Sequence, residues 1–292
     1  MVISGSPAKT DTVFPPRVKK LNWMTVTVMV IFHIGAVAAL FNFSWRNLIV
    51  AAVLLWFTVG LGISMGYHRL HTHRGYKCPL WLEYFFGLCG AMSLEGGPIF
   101  WVGTHRIHHQ RSDLPGDPHS PKEGAFWAHM GWILNGEGNH NKTEKMAQFA
   151  PDLAKHRFYM VLNSWHWVPT VVLGLILWVT GGFSMVLWGI FLRIVVGMHF
   201  TWFVNSATHM WGSRRFETTD TSRNLWWVAL LTFGEGWHNN HHAHPASIRH
   251  GLAWYEIDHS WILVNILKFL GLAWDLKVAT LDSQVAVQRR AA

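Results

Sequence analysis

Four stretches of this chain, Leu21–Phe41, Asn47–Tyr67, Trp165–Gly181 and Phe183–Asn205, are almost unbroken runs of apolar residues. Each comes close to the roughly 20 residues that an α-helix needs to cross a hydrocarbon core of about 30 Å. The surrounding composition agrees. Hydrophobic residues make up 50% of the 292 positions and charged residues only 14%, against about a quarter charged in an ordinary soluble domain. The first two runs are joined by the short turn "NFSW" and the last two by "GG". Two spans with a short turn form a hairpin whose outer ends lie on one side. Arg17, Lys19 and Lys20 precede the first span, and an excess of positive charge marks the cytoplasmic side. The expectation is an all-α membrane protein with four transmembrane helices in two hairpins, at about 21–41, 47–67, 165–181 and 183–205. Both termini and the 68–164 segment are then cytoplasmic.

No linker or charge run divides the chain, so residues 21–277 read as one integral-membrane unit, with a polar tail at 1–20 and another at 278–292. The N-terminal tail has no early apolar core ending in a cleavage site, unlike a secretory signal. Leu80–Leu94 is apolar but short and reads as an interfacial helix. Leu263, Ile266, Leu267 and Leu270 repeat at helical spacing and mark an interfacial or packing helix. The formal net charge of +8 suits cytoplasmic loops, and also a basic surface for an anionic headgroup or an acidic partner. No basic stripe stands apart from the apolar segments, so nucleic acid is not an expected partner. Cys78 and Cys89 form no Cys-x-x-Cys pair, which argues against a thiol-redox site or zinc ribbon.

The other conspicuous feature is histidine, 20 of 292 residues. "HRLHTH" occupies 68–73, "HRIHH" 105–109 and "HNNHH" 238–242. In a helix, positions i, i+3 and i+4 share a face. His105, His108 and His109 therefore face one way, as do His238, His241 and His242. Neutral imidazole is a ligand for iron, zinc, copper and nickel. With His68, His73 and His209 there are nine candidates, whereas one tetrahedral zinc takes at most four. All lie beyond the ends of spans, on the cytoplasmic side. No His-Glu-x-x-His pattern is present, and the clusters contain no carboxylate, unlike the Glu-rich sites of ferritin-like bundles. The remaining histidines, among them His33, His129, His199 and His250, read as surface or hydrogen-bonded residues, and His71 and His119 as outer neighbours of a site or surface residues.

The boxes "HRLHTH", "HRIHH" and "HNNHH", with "NSATH" before the last, resemble the membrane fatty acyl desaturases. The stretches "GGPIFWVGTHRIHHQRSDLPGDPHSPKEGAFWAHMGWIL" and "GEGWHNNHHAHP" are similar to delta-9 members from bacteria, cyanobacteria and plants, and the likeness covers roughly residues 20–277. It implies a cytosolic helical cap on four spans, holding two non-haem irons. Position by position, it implies His68, His73, His105, His108, His109, His209, His238, His241 and His242 as ligands. Asn205 would bind one iron through water, and His71 falls outside the set. The implied reaction uses O2 and two electrons to place a cis double bond in a saturated acyl chain. Trp101 and Thr201 match positions lining the bend of an acyl tunnel, Trp202 lies beside Thr201, and Trp56 and Gly60 are expected at its far end. The carrier is coenzyme A or a membrane lipid, with acyl carrier protein also open. Gly103 and "PKEG" are less basic than a coenzyme A contact would require. Electrons would come from ferredoxin or cytochrome b5, since no cytochrome b5 segment is fused here. A di-iron hydroxylase with similar boxes is a nearby alternative. A metal transporter is disfavoured because its ligands would sit near the bilayer midplane. Arg193, inside the fourth span, has no partner legible in the sequence.

Overall fold

Asn22 starts the first helix, its side chain accepting the Thr25 N–H at 3.3 Å, and Ser44 starts the second by accepting the Asn47 N–H at 3.1 Å, both ordinary N-caps. Helix α1 spans Trp23–Leu40 and α2 spans Trp45–Thr72. A computed structural model describes residues 20–135 and 143–283, and among these every regular element is helical, apart from three isolated β-bridges. Residues 1–19 of the N-terminal tail and 284–292 of the C-terminal tail lie outside the described residues.

From Trp56 to Thr72 the coil of α2 widens to π-type turns with i→i+5 bonds over 17 residues, where a single such turn is the usual length. This half is buried on most sides. Helix α3 (Leu80–Ala91) lies against it so closely that a Cβ on Gly62 would collide with the Gly90 nitrogen. Only a residue without a side chain allows that approach. Helix α3 is shorter than the apolar run Leu80–Leu94. It buries Leu82, Phe86 and Cys89 and exposes Trp81, Phe85 and Leu88. Helix α4 (Pro98–Arg111) follows, with Pro98 in the first turn, where a missing N–H costs nothing.

Helix α5, Val168–Met210, is one apolar stretch of 43 residues, about 65 Å if straight. It is not straight. Gly182 has φ 70° and ψ −173°, a conformation that an L side chain rarely adopts, and the chain turns back there. Leu177 of the first arm covers Gly189 of the second, and Gly174 faces Ile190 at 3.7 Å. The break falls between the third and fourth predicted runs. It meets the turn between α1 and α2: Arg46 donates to the Thr180 carbonyl at 3.0 Å, Asn47 to Ser184 Oγ at 2.8 Å and Trp188 to the Asn42 carbonyl at 2.9 Å. Helix α1 packs on the second arm, with the Phe191 ring over Gly35. Its other side, including Ile31, Ile34 and Val37, is exposed, as are Val171, Val172 and Val179 of the first arm. Three described helices, α1, α2 and α5, are long and apolar enough to cross a membrane.

Arg193 is buried and does have partners. Its Nε donates to the Gly189 carbonyl at 2.9 Å and its Nη1 to the Met92 carbonyl at 2.6 Å. Met92 is the C-terminal cap of α3, so the cation sits at the negative end of a helix dipole. A second buried arginine, Arg69, ties α2 to the C-terminal region. Its Nε donates to Glu235 at 2.9 Å, and its Nη1 to Asp258 at 2.9 Å and to the Ile248 carbonyl at 2.7 Å. Asp258 also caps the last long helix, α7 (His259–Phe269), by accepting the Trp261 N–H. The predicted apolar stripe there divides. Leu263 and Leu267 pack on the core, while Ile266 and Leu270 are exposed, so only one edge of a stripe about 100° wide is covered. A short helix, α6 (His238–Ala243), carries the third histidine box.

Candidate metal centre

The wide end of α2, the last two turns of α4, the end of α5 and the whole of α6 converge. Their imidazoles form two groups. His68, His73, His105, His109 and His241 make one, and His108, His209, His238 and His242 the other, each with ligand-capable atoms within 4.8 Å of one another. The nine histidines singled out from the sequence all fall in these two groups. The π-type coil explains the first box: the His73 N–H bonds to the His68 carbonyl at 3.1 Å, so residues five apart share a face and their rings lie 4.8 Å apart. His71, on another face, points to the Tyr159 hydroxyl at 2.9 Å and belongs to neither group.

Carboxylates hold the outer ring nitrogens. Asp117 contacts His108 Nδ1 at 3.0 Å, Asp113 contacts His209 Nδ1 at 3.3 Å and Asp220 contacts His242 Nδ1 at 2.7 Å. Glu235 lies 2.6 Å from His68 Nδ1 and 3.1 Å from His250 Nδ1. A carboxylate on Nδ1 fixes the tautomer and leaves Nε2 with a lone pair. In the second group this turns three lone pairs inward. The Nε2 atoms of His108 and His242 are buried with no hydrogen-bond partner, and so is His73 Nε2 in the first group. His241 Nε2 stands 3.1 Å from His68 Nε2 and 3.0 Å from His109 Nε2, and His109 Nε2 stands 3.1 Å from His105 Nε2. One N–H cannot serve all these contacts. A cation in each group would satisfy them, so the donor set fits nitrogen-ligated metal ions.

Burial, reinforced by neighbouring imidazoles, pushes His73, His105, His109, His238 and His241 well below the ordinary histidine range. They stay neutral, as ligands must. Burial also lowers His108, but the Asp117 carboxylate outweighs it and the net shift is upward. Burial would raise Asp117, yet the His108 contact takes it down to about 2. Asp220 and Glu235 are likewise depressed against the effect of burial, by His242 and by Arg69 with His68 respectively.

Two chambers adjoin the imidazoles. One is lined by Trp101, His105, Thr201, Trp202 and Asn205 among others. The second shares Trp101, His105, Thr201 and Asn205 and continues to Val59, Ile63 and Ser64 of α2. Trp101 stacks on His105 with centroids 5.0 Å apart. Trp202 packs against His129 and His199. Trp56 and Gly60 line neither chamber. Gly60 faces Phe233 at 3.4 Å, and the Trp56 ring lies against Phe57 and His259. The α2 residues facing the cavity are Val59, Ile63, Ser64 and His68, because π-type turns rotate the face that α-helical spacing would give.

Sequence reasoning passed over several residues here. Asp113, Asp117, Asp220, Glu235 and His250 form the carboxylate and imidazole surround. Asp113 and Asp117 sit in "DLPGD", Glu235 in "GEGW", within the stretches that carried the resemblance. Glu95 is the other. It accepts from Thr201 Oγ1 at 2.9 Å and Trp101 Nε1 at 3.3 Å, and burial raises its carboxyl to about 8. A neutral carboxyl thus ties together two of the four residues that line both chambers.

A family model described as fatty acid desaturase matches residues 43–274. The chain is 48% identical over 262 residues to an sn-1 stearoyl-lipid 9-desaturase of Anabaena variabilis, covering 89% of this chain and 95% of that one. It is 44% identical over 255 residues to an sn-2 palmitoyl-lipid 9-desaturase of Nostoc sp. (strain 36), covering 87% and 90%. An acyl-CoA C20 Delta5-desaturase of Anemone leveillei is 40% identical over 271 residues, covering 90% and 86%.

Proposed function

This chain belongs to the fatty acid desaturase family, and we propose that it places a cis double bond at the delta-9 position of a saturated acyl chain carried on a membrane lipid. Introduction of a double bond into a fatty acyl chain is its activity as an oxidoreductase. The position and the carrier are read from the relatives named stearoyl-lipid and palmitoyl-lipid 9-desaturases. The observation that carries the chemistry is the pair of imidazole groups with inward lone pairs beside two chambers that share four lining residues.

His68, His73, His105, His109 and His241 would hold one iron. His108, His209, His238 and His242 would hold the other, with Asn205 reaching it through water. Bound iron supplies, with O2 and two electrons, the oxidising power that an unactivated methylene requires. The protein's own part is placement. Asp117, Asp113 and Asp220 keep His108, His209 and His242 in the tautomer that turns Nε2 inward. Trp101 and Thr201, joined through Glu95, set the bend between the chambers, so one pair of methylenes stands beside the imidazoles. The apolar walls exclude water. Overall, one saturated acyl chain, O2, two electrons and two protons give one cis-unsaturated chain and two waters. A separate donor such as ferredoxin or cytochrome b5 delivers the electrons.

The same reading gives a multi-pass membrane protein. The break at Gly182 divides α5 into two spans, and the adjoining turns at 41–47 and 180–188 lie on the side away from the imidazoles. With α1 and α2 this makes four spans in two hairpins, capped by the remaining helices, and the cap and both termini face the cytoplasm. Expression in a desaturase-deficient host tests the reaction. The new double bond should appear at delta-9 and first in the lipid pool. An accumulating hydroxylated chain, or no new product from a folded, iron-loaded protein, would contradict it.

A further inference from the structure

A groove of about 830 Å³ opens on the outside of the bundle between α1 and the first arm of α5. It is separate from the two chambers but shares three lining residues with the first of them: Met29, Leu94 and Met198. These three form a collar between groove and chamber. The chamber beyond the collar reaches His105 and Asn205.

Two features of the collar set it apart. Met29 and Met198 are unbranched and adaptable, the kind of side chain that yields to a passing group. Leu94 has φ 58°, a left-handed backbone that a leucine adopts only when its surroundings hold it there. The surroundings are visible. The carbonyl of Met92, two residues earlier, receives Arg193 Nη1 at 2.6 Å and Thr170 Oγ1 at 3.5 Å. The buried arginine therefore anchors the strained turn that carries Leu94 into the collar.

The groove also indicates its occupant. Its walls rise between helices whose outer residues, such as Val28, Ile31, Val171 and Leu175, are exposed and apolar. A chain leaving the groove passes into hydrocarbon rather than water. None of the described residues lining it is Lys, Arg, Asp or Glu, so nothing there would grip the phosphates of a soluble thioester. Its polar side chains, Asn22, Thr25, His166 and Thr170, are neutral hydrogen-bonding groups suited to an ester or a neutral headgroup. We propose that this groove is the lateral portal through which an acyl chain, still esterified to a membrane glycerolipid, passes from the bilayer through the Met29–Leu94–Met198 collar to the imidazoles. The proposal rests on the lipid-desaturase reading above and adds the route that such a substrate needs.

The test uses the full, iron-loaded chain in phosphatidylcholine vesicles bearing stearoyl at sn-1. Photoreactive p-benzoylphenylalanine replaces Met29 in one preparation and Val37, exposed on α1 outside the groove, in another. After irradiation and digestion, the peptide containing position 29 should carry the mass of the intact phospholipid. Gly174→Phe then fills the groove. An added Cβ at Gly174 meets only Ile190, at 3.7 Å or more, so the bulk extends into open space. This change should cut the adduct at position 29 at least tenfold and leave the bulk-lipid adduct at position 37 unchanged. It should also lower kcat/KM for the vesicle lipid at least tenfold, with iron content unchanged. Absence of a lipid adduct at position 29 overturns the portal. So does an adduct only when stearoyl-CoA is added, or full lipid turnover in Gly174→Phe. Cross-linking needs no turnover, so a parent protein that takes lipid into the collar but desaturates nothing counts against the reaction and not against the portal.

Discussion

Replacing Asp220 by Asn changes one atom at the edge of the second imidazole group. Asp220 Oδ2 lies 2.7 Å from His242 Nδ1, and both side chains are buried. The other oxygen accepts from Thr218 Oγ1 at 2.9 Å and the Ser222 N–H at 3.0 Å. An asparagine would keep its carbonyl on those two donors and turn its NH2 toward His242. The imidazole would then accept at Nδ1 and carry its hydrogen on Nε2, where a lone pair is needed. Loss of such a partner typically weakens metal binding about 10–100-fold, or about 1.4–2.8 kcal/mol. The tautomer change puts the expectation toward the upper end. The assay is iron retained per chain across a chelator titration, by elemental analysis, with circular dichroism to show that the helices persist. Asp152→Asn is the control: Asp152 binds Arg106 and Arg74, away from the imidazoles, and should retain iron like the parent. Equal iron retention in Asp220→Asn and the parent would refute the claim that the carboxylate fixes the metal-binding tautomer.

Other predictions follow from the same geometry. His71→Phe should keep both irons but lose about 0.5–1.5 kcal/mol of stability, because the Tyr159 hydroxyl loses one hydrogen bond while Glu83 still holds it; iron loss matching that of His73→Ala would contradict this. The metal-free protein should lose stability as pH falls below about 6.5. The neutral, buried His73, His105, His109, His238 and His241 have lowered folded-state pKa values, so the unfolded chain binds more protons and folding strengthens with rising pH. Thermal unfolding between pH 5 and 8 checks this, and a flat Tm would contradict it. Val59→Phe should shift products toward shorter chains, while Gly60→Ala should alter stability and leave chain length alone; product profiles from mixed 14- to 20-carbon feeds decide. Gly182→Ala should cost about 1–3 kcal/mol through its backbone alone, since the φ and ψ there are essentially restricted to glycine and nothing lies within 4 Å of the added carbon. A loss clearly above that range by thermal unfolding would show that this turn carries packing as well.

Much of the site was legible because its chemistry is repeated in sequence. His-x-x-His-His at 105–109 and 238–242 places three rings on one face of an ordinary helix, and α4 and α6 are ordinary there. The break in α5 was legible in "GG" because only glycine takes the backbone of Gly182. What was not legible has local reasons. Trp56 and Gly60 share a face at α-helical spacing, but the second half of α2 is π-wound, and no residue type announces that winding. The carboxylates escaped notice because a single Asp or Glu in a loop carries no periodicity; Asp113 and Asp220 meet His209 and His242 only after folding. Arg193 looked unpartnered because its acceptors are main-chain carbonyls, and a sequence does not show which of those a fold leaves free.

The central claim is that the two imidazole groups each hold one iron. Anomalous scattering recorded on either side of the iron absorption edge, from crystals of protein shown to desaturate a lipid substrate, tests it directly. The account predicts two iron peaks per chain, one among His68, His73, His105, His109 and His241 and the other among His108, His209, His238 and His242. A single peak, peaks elsewhere, or zinc in both positions of a fully active preparation would contradict it.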